Sequence, residues 1–364
     1  MIAILLFLVC LFALNDARFN CAKPSDFKIN NPKLHTPAYR NYIRFNDSLL
    51  HRYLYDKGTV LRKGTFGEVR AAAGIEPKLV IKKISSNDKI VLEKTKKEIQ
   101  MLKLMCGKKS EETYKILFEC LFKAIAGFKG CVEEKSDIYI FQEYMTMDLR
   151  DMRAKKLYRA LEGGEKAQVM VNLITKYQKV HDKGIVHNNI KPDNIMMKTN
   201  DFSDPRIVDF GLSGKVGSNS LSYSPMYLAP ERHSTPILTY GGDVYSLAIS
   251  FVMMEESAEE VLKKMKSNCF KSYPNDECKK SLQLAVEKAF SKETKTAFLF
   301  EVFRIATNYD PTVRCTSMKD FADAITGKAK NIPEFGKSLV GKPKKFTTQP
   351  FQIVSYVRRD ILII

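Results

Sequence analysis

His187-Asn188-Asn189-Ile190-Lys191-Pro192-Asp193-Asn194 is the stretch that decides the fold, and Asp209-Phe210-Gly211 follows its last residue by fifteen positions. Both stretches are rich in hydrogen-bonding groups. The amide of Asn189 can accept a hydrogen bond from a hydroxyl, but an amide oxygen is far too weakly basic to take a proton. A carboxylate, as in Asp209, can do both.

These two stretches resemble the catalytic centre of eukaryotic protein kinases. The usual loop of that family reads H-R-D-x-K-x-x-N, in which the Asp accepts the proton of the substrate hydroxyl and the Asn and the later D-F-G Asp hold Mg²⁺ on the phosphates of ATP. The resemblance implies that Asn194 and Asp209 are metal ligands and that Lys191, which marks the serine/threonine type, neutralises the transferring phosphate. Asn189 stands where the family has its Asp, so the sequence predicts a kinase fold with a degenerate base position.

A glycine-bearing stretch at residues 61–69, Leu-Arg-Lys-Gly-Thr-Phe-Gly-Glu-Val, is similar to the glycine-rich loop of the family, G-x-G-x-x-G-x-V. The resemblance assigns Gly64, Gly67 and Val69 to the nucleotide site, where glycines let the backbone lie close over the phosphates. Arg62 replaces the first glycine of the pattern. Its side chain either obstructs the nucleotide or offers it a cation, and the sequence leaves both alternatives open.

Residues 79–82, Leu-Val-Ile-Lys, resemble the V-A-I-K strand of the family. The resemblance implies that Lys82 reaches the α and β phosphates and that Glu98 is the helix glutamate that pairs with it. Val80 replaces the usual alanine over the adenine. Its two extra methyl groups could narrow the pocket, which bears on nucleotide affinity and not on the fold.

The stretch Gln142-Glu143-Tyr144-Met145 resembles the hinge whose backbone binds adenine. Glu143 and Met145 are therefore assigned to the cofactor site, together with Met196, which follows the catalytic loop. Because hinge bonds are main-chain bonds, the residue types at these positions carry little information.

The activation loop, residues 212–228, is short and serine-rich. Asn188 replaces the arginine that in many kinases pairs with a phosphorylated activation loop, so we expect no control by that phosphate clamp. Glu231 and Arg314 match the ion pair that braces the large lobe, and Asp243 matches the residue that holds the backbone of the catalytic loop. These three matches predict an intact large lobe.

The order of motifs predicts an α+β chain with the bilobal protein-kinase fold: a small antiparallel β lobe with one helix, then a large, mainly α-helical lobe. We divide the chain into a signal peptide (1–17), an irregular N-terminal extension (18–55), the kinase-like domain (56–328) and a basic C-terminal tail (329–364). Alternating and helical hydrophobic patterns predict strands near 59–61, 78–84 and 126–144 and helices near 92–105, 165–182 and 243–254.

The chain is strongly basic, with 59 Lys and Arg against 41 Asp and Glu, a net charge of +18. This balance favours an acidic protein, a phosphate or an anionic membrane surface as partner, although scattered lysines that only solubilise the surface explain it as well. Since no nucleic-acid-binding motif accompanies the charge, we expect a protein partner or substrate and no specific nucleic acid.

An apolar run at residues 2–14 is too short to span a bilayer and is followed by small and polar residues around Ala17. This pattern is typical of a secretory signal peptide, with an uncleaved anchor as the alternative, because no Lys or Arg precedes the run. We therefore expect a secreted protein without a transmembrane span in its mature chain, and a sequon at Asn46 that could carry a glycan.

Cys269 and Cys278 flank a short polar loop, and in a secreted protein such a pair forms either a disulfide or two free buried thiols. No Cys-x-x-Cys or Cys/His cluster indicates zinc.

Three functions fit this sequence. The first is a secreted pseudokinase that binds ATP and Mg²⁺ and acts as a scaffold or regulator of a protein partner. The second is a serine/threonine kinase that works slowly with Asn189, because a general base contributes about 10²–10⁴-fold of the rate and positioning supplies most of the rest. The third is an interaction module that binds no nucleotide, which Arg62 and Val80 favour. The oligomeric state stays open.

Overall fold

The computed structural model describes residues 50–64, 67–73, 79–106, 124–198, 202–221, 224–265, 269, 276–291 and 297–328. The predicted signal peptide, the sequon at Asn46 and the basic tail lie outside these residues.

The small lobe is a five-stranded antiparallel sheet with the strand order β1-β2-β3-β5-β4. Strand β3 is central, with Leu79, Ile81 and Ile84 buried and the residues between them half-buried. A single long helix, α2, follows β3 and packs on the sheet. The elements are β1 (Thr59–Gly64), β2 (Gly67–Ala71), β3 (Leu79–Ser85), α2 (Lys89–Cys106), β4 (Phe128–Glu134) and β5 (Asp137–Glu143).

A short helix, α1 (Leu50–Asp56), precedes this sheet. The sequence prediction of an irregular extension up to residue 55 is therefore wrong for its last six residues. The ring of Tyr55 packs edge-on against Tyr139 at a centroid distance of 5.8 Å, and its hydroxyl donates a hydrogen bond to Glu68. This aromatic contact explains the helix, because burial of Tyr55 on the sheet fixes the end of the segment.

The large lobe is built from helices around one apolar core. Helix α5 lies at its centre, where every residue from Asp243 to Val252 is buried, and this fits its largely apolar sequence. The helices are α3 (Leu149–Ala154), α4 (Gly163–His181), α5 (Tyr240–Met254), α6 (Glu259–Met265), α7 (Asp276–Ala289), α8 (Phe300–Ala306) and α9 (Met318–Ile325).

Five short strands frame the loops that hold the residues of the candidate site. Two small sheets, β6-β8-β9 and β10-β7, hold them in place. The segment from His187 to Asn194 runs from β7 to β8, and Asp209 comes two residues after β9. The strands are β6 (Met147–Asp148), β7 (Ile185–Val186), β8 (Ile195–Met197), β9 (Pro205–Ile207) and β10 (Gly214–Lys215).

The two structural braces expected in the large lobe are present. Arg314 donates two hydrogen bonds to the carboxylate of Glu231, at 2.9 and 2.8 Å. The buried carboxylate of Asp243 accepts from the backbone N–H of His187 at 2.7 Å and of Asn188 at 2.8 Å, and it lies 2.9 Å from the His181 ring. The catalytic loop is thus anchored to α5.

The cysteine pair expected to form either a disulfide or two thiols forms the disulfide, with a Cα–Cα distance of 5.5 Å between Cys269 and Cys278. Cys131 on β4 is disulfide-bonded as well. Within the described ranges, every helix is too short or too polar to cross a membrane.

Candidate functional site

Lys82 and Glu98 form the ion pair that the sequence predicted. The Nζ of Lys82, on β3, lies 2.8 Å from both carboxylate oxygens of Glu98, on α2. Burial would lower the pKa of Lys82, but the carboxylates of Glu98 and Asp209 outweigh it and raise that pKa. The lysine is therefore an ammonium ion held at the inner end of the cleft between the lobes.

Asp209 faces this ammonium, with 3.9 Å between Lys82 Nζ and Asp209 Oδ1. Burial would raise the pKa of Asp209, but the positive charge of Lys82 and the backbone N–H of Gly211 bring it below its usual range. Its backbone is left-handed, with φ of +64°, a conformation that Asp and Asn tolerate better than other side chains. The next residue, Phe210, is fully buried against the ring of His187, at a centroid distance of 4.7 Å, and this fixes the direction of the Asp209 carboxylate.

Asn189 is buried and uses both ends of its side-chain amide. Its Nδ2 donates to Asp209 Oδ2 at 3.1 Å, and its Oδ1 accepts from the hydroxyl of Ser224 at 2.7 Å. The Asn189 amide thus donates to the Asp209 carboxylate and links it to the activation segment. A carboxylate at this position would have no proton to donate to Asp209.

Asn194 and Lys191 lie on the same loop. Asn194 is buried and its Nδ2 donates to the backbone carbonyl of Asn189 at 2.8 Å, which leaves its amide oxygen as the atom for a cation. The charge of Lys191 contributes to the low pKa of Asp209. An ionised carboxylate, an amide oxygen and two ammonium groups in one cleft form a set that fits Mg²⁺ and phosphate.

The hinge joins β5 to β6 and lies next to β8. The backbone N–H and the hydroxyl of Thr146 both donate to the carbonyl of Met197, at 2.9 Å. The side chain of Glu143 is bound by Lys198 at 2.5 Å and by the N–H of Gly127 at 3.2 Å, and its backbone N–H donates to the carbonyl of Gly127 at 2.8 Å. The backbone carbonyl of Glu143 is therefore the group that a nucleotide would contact. Met145 is buried beside it, and Met196 on β8 is paired with Asp148 just beyond the hinge.

The remaining predicted cofactor residues lie on the small sheet. Val69 pairs with Lys82, and Val80 lies between Ala71 and Gln142 in the neighbouring strands, so both valines border the cleft side of the sheet where Lys82 lies. Gly64 and Gly67 pair with each other at the end of the β1-β2 hairpin.

Gly67 also has a structural reason for being glycine. A Cβ atom at this position would collide with the backbone carbonyl of Lys83. Close packing of β2 on β3 therefore requires glycine here whether or not a phosphate binds.

Arg62 does not face the inner end of the cleft. Its guanidinium reaches across to the catalytic loop and lies 2.8 Å from Asp193 Oδ1. The sequence left open whether Arg62 obstructs the nucleotide or offers it a cation. Because its guanidinium is bound to Asp193, the contact favours obstruction.

Arg232 is a residue that sequence reasoning missed. Its guanidinium donates to the side-chain oxygen of Asn188 at 3.4 Å and to the carbonyl of Ser220 in the activation segment at 2.8 Å. Arg232 thus reaches the place beside Asn188 where many kinases have an arginine in the loop itself. The only feature of the sequence that could have indicated this role is that Arg232 directly follows Glu231.

The fold and the site together define a protein of the kinase type. Residues 55–325, most of the chain, match the family described as protein kinase domain, so this chain belongs to that family. Proteins of this family generally use ATP and Mg²⁺.

The relatives that the chain resembles are protein kinases at low identity. It is 32% identical over 146 residues to the dual specificity mitogen-activated protein kinase kinase dSOR1 of Drosophila melanogaster, over 38% of this chain and 36% of that protein. It is 26% identical over 235 residues to the serine/threonine-protein kinase shk1/pak1 of Schizosaccharomyces pombe, over 63% of this chain and 30% of that protein. It is 27% identical over 249 residues to the CDPK-related kinase 1 of Arabidopsis thaliana, over 64% of this chain and 40% of that protein. The chain thus spans only 30–40% of the length of these relatives.

Proposed function

We propose that this chain is a secreted pseudokinase that binds ATP with Mg²⁺ and presents a nucleotide-stabilised surface to a protein partner. The observation that carries the proposal is the amide of Asn189, which donates to Asp209 and accepts from Ser224. No atom of that side chain is basic enough to take a proton from a substrate hydroxyl. The base step of phosphoryl transfer therefore has no residue to perform it at this position.

Nucleotide binding is supported by the groups that would hold it. Lys82 would contact the phosphates, Asp209 and Asn194 would hold Mg²⁺, and the backbone of Glu143 and Met145 would contact adenine. The bound metal and the phosphates would place opposite charges next to Lys82 and Asp209, between the two lobes. The low pKa of Asp209 supports a cation site, since that carboxylate is ionised at neutral pH.

The proposal is tested by the melting temperature of the purified mature chain with millimolar ATP, with and without Mg²⁺. At about 100 times the dissociation constant, binding adds about 2.7 kcal/mol, which raises the melting temperature by several degrees. Lys82→Met should abolish the rise.

Lys83→Met is the matched control for Lys82→Met. Lys83 is the next residue on β3, but its ammonium pairs with Asp137 at 2.9 Å on the small lobe. This variant should therefore keep the ATP-dependent rise. If the wild type shows no rise with or without Mg²⁺, the chain does not bind ATP and the nucleotide half of the proposal is wrong.

A slow serine/threonine kinase is the second candidate, and one observation favours it. The Lys82–Glu98 pair is closed and Phe210 is buried, which supports a set of catalytic groups that lacks only the base. Loss of a general base costs about 10²–10⁴-fold, which leaves room for slow turnover. Phosphorylation by the wild type at ordinary kinase rates would favour this candidate.

An interaction module without nucleotide is the third candidate. The side chain of Arg62 at the cleft and Val80 in place of alanine support it. An absent ATP response in both the wild type and Arg62→Ala would favour it.

Secretion is supported by the disulfides, because Cys269–Cys278 and Cys131 are oxidised in this structure and disulfides persist in oxidising compartments. Export from a eukaryotic host should give a mature N-terminus near Arg18 and a glycan on Asn46. Recovery of Met1 by N-terminal sequencing would contradict cleavage, and a mass unchanged by an endoglycosidase would contradict use of the sequon.

An acidic protein partner is supported by the charge of the small lobe. Residues of α2 border a groove of about 590 Å³ and combine lysines with an exposed isoleucine. The groove is lined by Lys89, Ile90, Glu93, Lys94, Lys96, Lys97, Gln100 and Met101.

A further inference from the structure

Arg62, on β1, makes a contact between the two lobes. Its guanidinium donates to Asp193 Oδ1 at 2.8 Å and lies 3.5 Å from the backbone carbonyl of the same residue, 131 positions away in sequence. The next residue, Lys63, instead pairs with Glu68 on the adjacent strand, at 3.2 Å. On strand β1, Arg62 therefore contacts the large lobe, whereas Lys63 contacts the small lobe.

The acceptors of Arg62 form a small cluster with a second arginine. Asp193 Oδ1 also accepts from Arg150 at 2.6 Å, and Asp148 Oδ2 lies 3.7 Å from Arg62 and 3.5 Å from Arg150. Asp148 is well buried and its other oxygen accepts from the N–H of Asp151, so its position is fixed by the start of α3. Two arginines and two carboxylates give a cluster with no net charge, in a chain whose total is +18.

The cluster connects β1 to residues beside the hinge and beside Asn194. Asp148 comes three residues after Met145 at the hinge, and Asp193 directly precedes Asn194 at the metal site. A ligand that contacts both the hinge and Asp209 would lie between these points and next to β1. Arg62 joins β1 to both points, so it covers the path that such a ligand takes.

We propose that Arg62, Asp193, Arg150 and Asp148 form an interlobe latch that closes the cleft and must open before a nucleotide enters. The latch rests on geometry that exists without a ligand, whereas its gating role rests on the proposed nucleotide binding. Arg62 is the movable arm, because it is the only one of these four residues that the small lobe contributes. Arg150 holds Asp193 in place when the arm is released.

The contact itself is tested without nucleotide by a double-mutant cycle on the unfolding of the mature chain. Arg62→Ala, Asp193→Ala and the double variant should be non-additive, by about two- to fivefold in the unfolding equilibrium constant, which is the range for an exposed ion pair. The coupling should shrink in high salt, since screening weakens exposed pairs. The matched cycle of Lys63→Ala with Asp193→Ala should be additive. Additivity in the Arg62 cycle would overturn the latch.

The gating role is tested by stopped-flow mixing with a fluorescent ATP analogue. Arg62→Ala should raise the association rate constant by about two- to fivefold relative to Lys63→Ala, which removes the same positive charge from the same strand without touching Asp193. Equal association rates for Lys63→Ala and Arg62→Ala would overturn the gate. Binding by Arg62→Ala alone would be its strongest support.

If none of the proteins binds the analogue, the proposed nucleotide function and the gate both fail. The mutant cycle then still decides whether the latch exists. The two failures are distinguishable for this reason.

Discussion

Asn189→Asp is the substitution that examines the centre of the site most sharply. The structure shows the Asn189 amide donating to Asp209 Oδ2 at 3.1 Å. An aspartate at this position removes the donor and puts a second carboxylate beside the first. Without a metal ion, two like charges about 4 Å apart cost up to about 4 kcal/mol at an effective dielectric constant of 20, and protonation of one of them limits that cost.

We therefore expect Asn189→Asp to be about 2–4 kcal/mol less stable than the wild type in metal-free buffer at neutral pH. The shared proton raises the pKa of one carboxylate above its unfolded value. A carboxyl group whose folded pKa is raised loses stability as the pH rises through that pKa, so the deficit should fade toward pH 4. Mg²⁺ should restore more stability to this variant than to the wild type.

The measurement is denaturant unfolding of the wild type and Asn189→Asp at pH 4 and pH 7, with EDTA or with Mg²⁺. Asn189→Ala is the control, since it removes the same hydrogen bond without adding a charge, and its deficit should not depend on Mg²⁺ in the same way. Equal stability of the wild type and Asn189→Asp in EDTA at pH 7 would refute the amide–carboxylate contact on which this reasoning depends.

Three further outcomes are expected elsewhere in the chain. Arg314→Ala leaves the Glu231 carboxylate without its buried partner and should lower the free energy of unfolding by about 3–5 kcal/mol in denaturant unfolding. Arg304→Ala, which removes the half-exposed partner of Glu301, should lower it by less than about 1 kcal/mol. Equal losses in the two variants would contradict the role of Arg314 as a brace. Reduction of the Cys269–Cys278 disulfide should cost about 2–3 kcal/mol for a loop of this length, and full alkylation of both cysteines without reductant would show that the bond is absent. The folded pKa of Asp209 is depressed, so its stabilisation should be present above about pH 4 and disappear as the pH falls through the folded pKa; an Asp209→Asn variant with the same acid limb as the wild type would contradict this.

Much of the fold is readable from the sequence because its motifs are local and ordered. The catalytic loop, Asp209 and Lys82 each lie in a short pattern whose order along the chain fixes the two lobes. The predicted helix near 92–105 occurs as Lys89–Cys106, and the strand pair near 126–144 occurs as two strands ending at Glu143. Errors of a few residues at the ends arise because caps and tertiary packing, not periodicity, set where an element begins.

The contacts that decide function are harder to predict, because each joins residues far apart in the chain. The sequence places Arg62 in a glycine loop, but the acceptor at Asp193 is visible only when both lobes are folded. It identifies Asn189 as a weak base but not as a donor to Asp209, since the direction of an amide depends on its neighbours. It also misses Arg232, whose role comes from reaching the carbonyl of Ser220.

Asn189→Asp distinguishes a site that lacks only the general base from a site whose catalytic geometry is also altered. If Lys191, Asn194 and Asp209 are placed as the family resemblance implies, the proton acceptor is the one catalytic part that the wild type lacks. Restoring it should then restore transfer, within the about 10²–10⁴-fold that a positioned general base supplies. If ATP binds to Asn189→Asp but transfer stays at background, Arg62, Val80 or the activation segment also blocks productive geometry.

Transfer of the γ-phosphoryl group from labelled ATP is the most direct test of a pseudokinase that binds nucleotide. The assay compares the wild type with Asn189→Asp, in Mg²⁺ and at ATP concentrations that saturate the thermal shift, on a generic basic protein and on the chain itself. We predict little or no transfer by the wild type and a clear rise for Asn189→Asp. Transfer by the wild type at ordinary kinase rates, with no change in Asn189→Asp, would contradict the pseudokinase assignment and make the chain a working kinase.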